Sequence, residues 1–374
     1  MKVYFDNAAS TPLIKEVSDE MCSVATENFG NPSSIHSYGR EARVIVENAR
    51  ETIAKCIRAL PSEIFFTSGG TEAINTVIRG YIYAKPLIRV ITSRLEHYAV
   101  LNCLTDILKE KKIQIEFLPH DSQGNIDHGS LETVLGKYQQ ALVILMHANN
   151  ETGNILHVQE TGAICREYGA FFMSDTVQTI GKIPVSPDEM NADSIICSAH
   201  KLHGPKGAGF FYLRKGEMLH PLLFGGSQER NKRAGTENVP AIAGMAKALE
   251  IACDNMEKNH RYILHLKTAM IKILRDSFQH IEFNGNTDKN GLHSILSVSF
   301  PLNDKTEMLQ YNLDINGIAV SGGSACTSGS AVPSHVISEL KGSRDLVTIR
   351  FSFSKFNTLD EVNYCTEVMK KTLG

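Results

Sequence analysis

The sequence lacks several features that mark common classes of protein. Its eight cysteines include no Cys-x-x-Cys pair, which argues against a zinc site and a disulfide framework. No stretch approaches the roughly 18 uninterrupted apolar residues of a membrane span, and residues 1–6 lack the apolar run of a signal peptide. We therefore expect no metal site and no membrane segment, and we expect the protein in a reducing cytoplasm.

Strong charge, repeats and a nucleotide-binding loop are also absent from the sequence. The net charge of −3 gives no electrostatic footprint for nucleic acid or an anionic membrane. There is no internal repeat, no low-complexity linker and no GxxxxGK[ST] pattern. What is present is an ordinary globular composition, with 42% hydrophobic and 21% charged residues, over 374 residues that suggest about two domains.

Short apolar runs alternate with amphipathic stretches from about residue 60 to residue 215. Several runs are hydrophobic throughout, as expected of strands that are buried on both faces. This alternation predicts an α/β layer in which a mainly parallel, seven-stranded sheet lies between helices, with active residues in the loops at the strand ends. The predicted strands are 64–67, 89–92, 113–118, 141–147, 170–174, 194–198 and 209–213.

The pattern changes in the last third of the chain. A long helical pattern covers 239–277, strand-like alternation covers 294–300 and 346–353, and 305–316 and 359–371 look helical. This order predicts a smaller α+β domain. We assign 16–258 to a large domain, and 1–15 with 259–374 to the small domain.

One run places a lysine between a hydrophobic strand and a glycine-proline turn. It reads Ser-Ala-His-Lys-Leu-His-Gly-Pro over 198–205 and contains Lys201, and upstream Asp175 stands at the end of another strand. A lysine that can form a Schiff base, with an aspartate for a pyridinium nitrogen, is what a pyridoxal-phosphate enzyme needs. Most lysines near turns are solvated surface charges, so the prediction rests on the combination.

Two further loops have residues suited to a cofactor. The run 67–73, Thr-Ser-Gly-Gly-Thr-Glu-Ala, follows a strand and opens a helix, where free N–H groups form an anion site. Beside Lys201 it predicts a phosphate cradle, although Ser68 or Thr71 as a helix cap is the commoner role. His97 follows the next strand and could stack on an aromatic ring or act as an acid or base; a cap-region histidine is the alternative.

An amide and a guanidinium group complete the candidate site. Asn149 lies in a loop that closes another strand and could reach a ring oxygen, although asparagines favour turns in any case. Arg350 interrupts an apolar strand, and its planar guanidinium suits the carboxylate of an amino-acid substrate. The alternative for Arg350 is an edge-strand arginine that faces solvent.

Cys326 is the exceptional cysteine. It stands alone among glycines and serines, in Ser-Gly-Gly-Ser-Ala-Cys-Thr-Ser-Gly-Ser over 321–330, which is neither a core pattern nor a metal pair. Such a loop is expected to be mobile and exposed, so that its thiol can travel and react. We predict a nucleophile, with a chance cysteine in a polar loop as the alternative.

These motifs together resemble those of the NifS/IscS-type cysteine desulfurases, which are fold-type I pyridoxal-phosphate enzymes of the class V aminotransferase family. The resemblance runs nearly end to end and includes Tyr-Phe-Asp-Asn-Ala-Ala at 4–9 and Arg-Ala-Gly-Thr-Glu-Asn at 233–238. The Ser-x-His-Lys and Ser-Ala-Cys-Thr-Ser runs are its most specific part.

The resemblance implies a role for each candidate residue. Lys201 would bind the cofactor covalently, Asp175 would hold its pyridinium nitrogen, and His97 would stack on its ring. Gln178 and Asn149 would contact the side of the phenolic oxygen.

The remaining implied roles concern phosphate and substrate. Asn149 and Arg350 resemble the pair that grips the substrate carboxylate. Thr236 would reach the phosphate on the neighbouring subunit's cofactor, which implies a homodimer with shared active sites. The residues implied to bind phosphate within one subunit are Gly70, Thr71, Ser198 and His200.

The implied reaction converts L-cysteine to L-alanine and leaves the sulfur on Cys326 as a persulfide. The implied partner is a sulfur acceptor or an iron–sulfur scaffold protein, and Cys326 could ligate a cluster transiently. The sequence ends at Gly374, soon after the last predicted helix, whereas scaffold-docking members often have a longer tail. A dedicated sulfur-transfer pathway is therefore open beside iron–sulfur assembly.

Two other functions compete with this one. A selenocysteine lyase or another class V aminotransferase relative would keep the cofactor and change the reaction. A cofactor-free scaffold that binds sulfur carriers would keep the fold alone. Retention of Lys201, Asp175 and Cys326 together favours the desulfurase, because transamination needs no mobile thiol and a scaffold needs none of the three.

Overall fold

A seven-stranded sheet organises the protein. The computed structural model describes residues 1–85, 89–111, 113–138, 140–288, 290–322, 334–342 and 344–374. The strands within these ranges are β1 (Val3–Tyr4), β2 (Ile64–Thr67), β3 (Arg89–Thr92), β4 (Gln114–Phe117), β5 (Ala141–Ile144), β6 (Phe171–Asp175), β7 (Ser194–Ser198), β8 (Gly209–Leu213), β9 (Glu282–Asn284), β10 (Ile295–Pro301), β11 (Ile318–Ala319) and β12 (Leu346–Ser352). The α-helices are α1 (Lys15–Glu27), α2 (Ser37–Ile57), α3 (Gly70–Tyr83), α4 (Tyr98–Glu110), α5 (His128–Leu135), α6 (Val158–Glu167), α7 (Val239–Asp254), α8 (Met256–Ser277), α9 (Asp304–Glu307), α10 (Leu309–Ile315), α11 (His335–Lys341) and α12 (Leu359–Leu373).

The large sheet has the strand order β2-β8-β7-β6-β5-β3-β4. In the described strands β8 runs antiparallel to β2 and β7, and the other pairs are parallel. The predicted α/β class and mainly parallel sheet are therefore confirmed. β2, β3, β7 and β8 have the predicted bounds, while β6 lies one residue later, so that Asp175 is its last residue. The parallel strands bring their carboxyl ends to one edge.

Helices cover both faces of this sheet. Side chains alternate between the faces along each strand, so Phe172 packs in the core formed with α1, α2 and α7. Phe171 and Met173 point the other way and pack in the core formed with α3 and α4. Burial of such a side chain contributes about 1.5–3 kcal/mol, which explains why these strands are apolar throughout.

A further core lies in the C-terminal part of the chain. β9, β10 and β12 form an antiparallel sheet whose buried residues pack with α8, α10 and α12. The predicted single helix over 239–277 was wrong in one respect. It breaks at Asn255, whose side-chain amide donates to the Ile251 carbonyl at 2.9 Å, and continues as α8. The domain boundary at 258/259 stays a prediction.

The N-terminal residues join this C-terminal part. β1 pairs in parallel with β11, and Val3 and Phe5 pack in the same core as α8 and α12. This pairing brings Asp6, Ala8 and Ala9 to the carboxyl edge of the large sheet, where they meet the loops of the candidate site. In the described ranges no helix combines the length and the apolar character needed to span a membrane.

Candidate active site

A cavity of about 260 Å³ lies at the carboxyl edge of the parallel strands. Strands β2, β6 and β7 end at it, and their loops form much of its wall. The cavity brings together most of the predicted site residues, which come from segments far apart in the sequence. Those that line it are Gly70, Thr71, His97, Asp175, Gln178, Ser198, His200, Lys201 and Arg350.

Lys201 stands in the cavity wall at the end of a short turn. After β7 the chain forms a 3-10 turn over Ala199–Lys201, which ends the strand and projects the lysine from the sheet edge. Its Nζ donates hydrogen bonds to the carbonyls of Ala8 and Ala9 at 2.7 and 2.8 Å. The amine is thus held at the junction of the N-terminal segment and the sheet.

Asp175 provides a buried carboxyl group in the same cavity. Its Oδ1 accepts a hydrogen bond from the Val177 N–H at 2.9 Å, which fixes the orientation of the side chain. Burial raises the pKa of Asp175, and the Val177 N–H, His97 and Lys201 oppose that rise. A carboxylate with few polar neighbours strongly favours a cationic partner beside it.

His97 caps α4 and has a defined tautomer. Its Nδ1 accepts a hydrogen bond from the Ala99 N–H at 3.0 Å, so the neutral ring bears its hydrogen on Nε2. Burial lowers the pKa of His97, Lys201 and His335 lower it further, and Asp175 opposes them. The imidazole is therefore neutral near pH 7, and it lines the cavity beside Lys201.

The N-terminus of α3 forms an anion cradle. Gly69 precedes the helix with φ 154°, and among the described residues no side chain caps it. A Cβ on Gly70 would come within 3.1 Å of Val177 Cγ2 and 3.5 Å of Ser198 Cβ, so the glycine keeps this space open. Uncapped N–H groups at a helix start favour a bound phosphate or carboxylate.

Arg350 is buried in the wall of the cavity, with 2% of its surface exposed. This burial is incompatible with an edge-strand arginine that faces solvent. Its guanidinium donates to the Asn150 carbonyl and to Asp6 Oδ1, both at 2.9 Å. Among the described residues Nε has no partner, so one donor of a buried cation is unsatisfied.

The comparison with known proteins decides the family. Residues 3–365 match the model of the aminotransferase class-V family. The chain belongs to that family. It is 43% identical to "Cysteine desulfurase IscS" of Dictyoglomus turgidum, over 100% of this chain and 94% of that protein. The solved structure titled "NIFS-LIKE PROTEIN" superposes with a TM-score of 0.91 at 37% identity and covers 100% of this chain and 99% of its own. "SspA in complex with cysteine" superposes with a TM-score of 0.82 at 31% identity, over 96% and 100% of the two chains.

Pyridoxal phosphate is the cofactor of this class-V aminotransferase chain, and the residues of the cavity fit it. An amine from Lys201, a desolvated carboxyl from Asp175 and an uncapped helix start at Gly70 match its aldehyde, pyridinium and phosphate groups. The open space at Gly70, which a Cβ would reduce, is the observation that favours a bound group there.

Asn149 is not brought to this cavity. Its Oδ1 accepts the N–H groups of Glu151 and Thr152 at 2.9 Å, and its Nδ2 donates to the Leu95 carbonyl at 3.0 Å. The side chain thus stabilises the turn after β5, and it lines a neighbouring cavity. Asn150, the next residue, lines the candidate site instead. The predicted contacts of Asn149 with cofactor and substrate stay predictions.

Two other predicted residues lie outside the cavity. Thr236 is exposed, as a residue that reaches a neighbouring subunit would be in a single chain. Cys326 lies outside the described residues. The described residues on either side of its segment are tied to the site: the backbones of Ser321 and Arg350 hydrogen bond to each other, and Ser334 Oγ donates to Glu151.

The sequence analysis missed several residues of this class-V aminotransferase site. His335, the first residue of α11, lines the cavity, and its ring packs on Tyr98 with centroids 4.3 Å apart. Asp6 accepts hydrogen bonds from Arg350 and from Ser321 Oγ, at 2.9 and 2.7 Å. Asp6 directly follows a short apolar run, and this change in polarity was the sequence signal that could have identified it. No such signal marks His335.

Proposed function

We propose that this chain is a pyridoxal-phosphate-dependent cysteine desulfurase. It converts L-cysteine to L-alanine and takes up the sulfur as a persulfide on Cys326. The observation that carries the proposal is the convergence of Lys201, Asp175 and Arg350 on one cavity. A relative at 43% identity is named a cysteine desulfurase, and a structural neighbour was solved in complex with cysteine.

The residues of the cavity divide the work of binding and proton transfer. When bound, pyridoxal phosphate supplies an electron sink for the α-carbon of an amino acid. Lys201 would supply the amine for its attachment, and Asp175 would favour a proton on its ring nitrogen. Neutral His97 lies at the cavity wall with Nε2–H as its donor, and Gln178 is oriented by donating to the Ala8 carbonyl at 2.9 Å.

The start of α3 would hold the phosphate of the cofactor. Gly70 and Thr71 offer N–H groups and a hydroxyl, and Ser198 and His200 line the same cavity. Burial lowers the pKa of His200 to about 4, with Lys201 and Lys206 adding to the effect. His200 is therefore neutral near pH 7, and it acts by hydrogen bonding.

Arg350 binds the carboxylate of the substrate. Its Nε is unpartnered among the described residues and buried, and Asp6 occupies one of its terminal nitrogens. A guanidinium binds a carboxylate in a planar geometry through two of its nitrogens. The substrate carboxylate would therefore accept from Nε and compete with Asp6 for the neighbouring terminal nitrogen. This explains why a strand that is otherwise apolar contains an arginine.

Cys326 is within reach of this site by chain length alone. It follows Ser321 by five positions, and Ser321 pairs through its backbone with Arg350. Five residues span at most about 17 Å, from about 3.4 Å per residue. A segment of this length is compatible with a thiol that reaches the substrate bound at Arg350.

The sulfur transfer balances in atoms and electrons. The thiolate of Cys326 attacks the substrate sulfur, an S–S bond forms, and the carbon–sulfur bond of the substrate breaks. The electron pair of that bond stays with carbon, which gains a proton and yields alanine. The enzyme thiol and L-cysteine thus become the enzyme persulfide and L-alanine, with no external oxidant.

The test is the formation of alanine from L-cysteine together with the visible absorbance of the purified enzyme. We expect Lys201→Ala to abolish the cofactor's absorbance band and to lower alanine formation by about 10²–10⁴-fold. The matched control is Lys206→Ala, which removes an exposed lysine five residues further along the chain and is expected to change neither. An unchanged band and rate in Lys201→Ala would refute the proposal.

The same proposal includes a homodimer with shared active sites. Four large side chains, Phe29, Ile35, Tyr38 and Phe224, expose 52–91% of their surface. Gln228 Nε2 donates to Ser33 Oγ at 3.5 Å, and this hydrogen bond links the two chain segments that contain these exposed side chains. Thr236 follows Gln228 by eight residues in the second of these segments. We expect sedimentation at twice the chain mass. Activity should return when a Lys201→Ala subunit is mixed with a Thr236→Ala subunit; a monomeric active enzyme would exclude the shared site.

The persulfide is delivered to an acceptor protein in the cytoplasm. The relatives named IscS support iron–sulfur cluster assembly as the pathway. In that pathway Cys326 could also ligate a cluster transiently. Labelled cysteine sulfur, added with the enzyme to cell extract, should move to a specific acceptor. Label that stays on the enzyme or leaves it as free sulfide would contradict delivery.

A further inference from the structure

Another cavity, of about 50 Å³, shares Ala8 and Lys201 with the candidate active site. It is formed where residues 181–182 and 202–203 meet α7, α8 and the loop after β12. Its basic side chains besides Lys201 are Lys182, His203, His293 and Lys355, and no aspartate or glutamate is among the described residues that line it.

Two polar atoms of this cavity are unsatisfied. His293 Nδ1 and Ser294 Oγ have no hydrogen-bond partner among the described residues, and each residue is only 3% exposed. A buried polar group without a partner is unfavourable, because it has lost its hydrogen bonds to water and gained none in return. Adjacent groups with this deficit, both in the wall of one cavity, indicate a missing ligand.

The electrostatics specify the sign of that ligand. Burial lowers the pKa of Lys182 to about 7, with Lys201 and Arg350 adding to the effect. Burial also lowers the pKa of Lys355, and exposed Glu16 opposes it.

The two histidines of the cavity are neutral near pH 7, so they provide no counter-charge to the lysines. The pKa of His293 falls to about 3 through burial, then through His260, Lys182 and Lys267. The pKa of His203 falls to about 4 through burial, with Lys355 and Lys182 adding to the effect and the Pro12 carbonyl opposing it. A cluster of basic groups with so little counter-charge favours an anion.

We infer that this cavity binds a small monovalent anion such as chloride. Lys182 and Lys355 supply the charge, and the His293 ring N–H and the Ser294 hydroxyl supply hydrogen bonds. The volume has room for a few atoms, and Ile14, Ile263 and Phe353 give the cavity an apolar wall. A weakly hydrated, singly charged ion fits this mixture, because a multiply charged oxyanion would lose more hydration than the site returns.

The bound anion is connected to the active site through three hydrogen bonds. Lys182 Nζ donates to Gln178 Oε1 at 3.1 Å, Gln178 Nε2 donates to the Ala8 carbonyl at 2.9 Å, and Lys201 Nζ donates to the same carbonyl at 2.7 Å. An anion that keeps Lys182 charged therefore supports the orientation of Gln178 and the wall behind Lys201. This inference does not depend on which reaction the site catalyses.

The first test follows the thermal unfolding of the holoenzyme at constant ionic strength and at a pH below 7, where Lys182 is protonated, with sodium chloride replacing sodium gluconate. We expect a saturable rise in Tm with chloride, because a ligand that binds the native state stabilises it in proportion to its occupancy. Lys355→Met should shift the half-saturating concentration at least about tenfold, as loss of one charge-assisted hydrogen bond predicts. The control is Lys258→Met, which removes an exposed lysine on α8.

The second test locates the ion without a variant. Crystals grown with sodium bromide should show an anomalous peak within hydrogen-bond distance of Lys182 and Lys355. A cavity without that peak overturns the proposal, whatever the Tm response. A Tm that rises without saturation, or equally in Lys355→Met and the parent, also overturns it, because surface ions alone would explain that result.

Discussion

The ion pair between Arg50 and Glu229 is predicted to hold the segment that leads towards Thr236. Arg50 Nη2 and Nη1 donate to the two carboxylate oxygens of Glu229 at 2.8 and 2.9 Å, and both residues are buried. The Phe66 N–H also donates to Glu229, at 2.8 Å. Glu229 and the two residues after it have φ of 44°, 54° and 65°, a strained run that the pair holds in place.

Glu229→Gln removes the carboxylate and leaves the guanidinium buried. Removal of one partner of a buried pair costs about 3–5 kcal/mol. We expect the lower end, about 3 kcal/mol, because Glu47 still accepts from Arg50 Nε at 3.2 Å. The measurement is the free energy of unfolding from urea titration, followed by circular dichroism.

Glu47→Gln is the matched control for this prediction. It removes the second carboxylate on the same arginine, but that side chain is 49% exposed, so the expected loss is below about 1 kcal/mol. Equal losses in the two variants would refute the argument that burial makes the Glu229 contact the stronger one.

Three further predictions concern the pH, the substrate and the cofactor. Burial lowers the pKa of His147 to about 4, so its stabilising contribution is complete above about pH 6.5 and is lost as the pH falls towards 4. Urea titrations between pH 6.5 and 4 should show that the free energy of unfolding of the parent falls more steeply with falling pH than that of His147→Gln, by about 1.4 kcal/mol per pH unit. Equal slopes would contradict this prediction. Arg350→Lys loses the planar fork, so kcat/KM for cysteine should fall about 10–150-fold, as loss of about 1.5–3 kcal/mol implies; steady-state kinetics with unchanged kcat/KM would contradict a carboxylate contact. Gly70→Ala adds a Cβ within 3.1 Å of Val177 Cγ2, so spectroscopic titration should show weaker pyridoxal-phosphate binding, and unchanged affinity would mean that the cradle lies elsewhere.

The fold was predictable where the periodicity is long and consistent. β2, β7 and β8 are apolar on both faces and are bounded by turn residues, so their limits were recognised. β1 and β11 have two residues each, too few for any period. The break at Asn255 was missed because α7 and α8 continue a helical pattern on both sides of it. Its cause is a side-chain hydrogen bond that periodicity does not report.

The site was predictable to the extent that parallel strands determine it. Gly70, Asp175 and Ser198 follow or end parallel strands, so their meeting at one edge follows from the sheet topology. The position of the Asn149 side chain was not predictable, because its hydrogen bonds to the turn after β5 place it in the wall of a neighbouring cavity. The short 3-10 turn explains why Lys201, three residues past β7, still reaches the same edge.

The most direct measurement is the intact mass of the enzyme after one turnover with L-cysteine, with peptide mapping to locate any added sulfur. We expect one additional sulfur atom on Cys326, in the parent and in the control variant Cys22→Ser, which removes an exposed free cysteine. Cys326→Ser should still bind cofactor and cysteine but gain no sulfur. Sulfur found on another cysteine, or alanine formed at the parent rate by Cys326→Ser, would contradict the central claim.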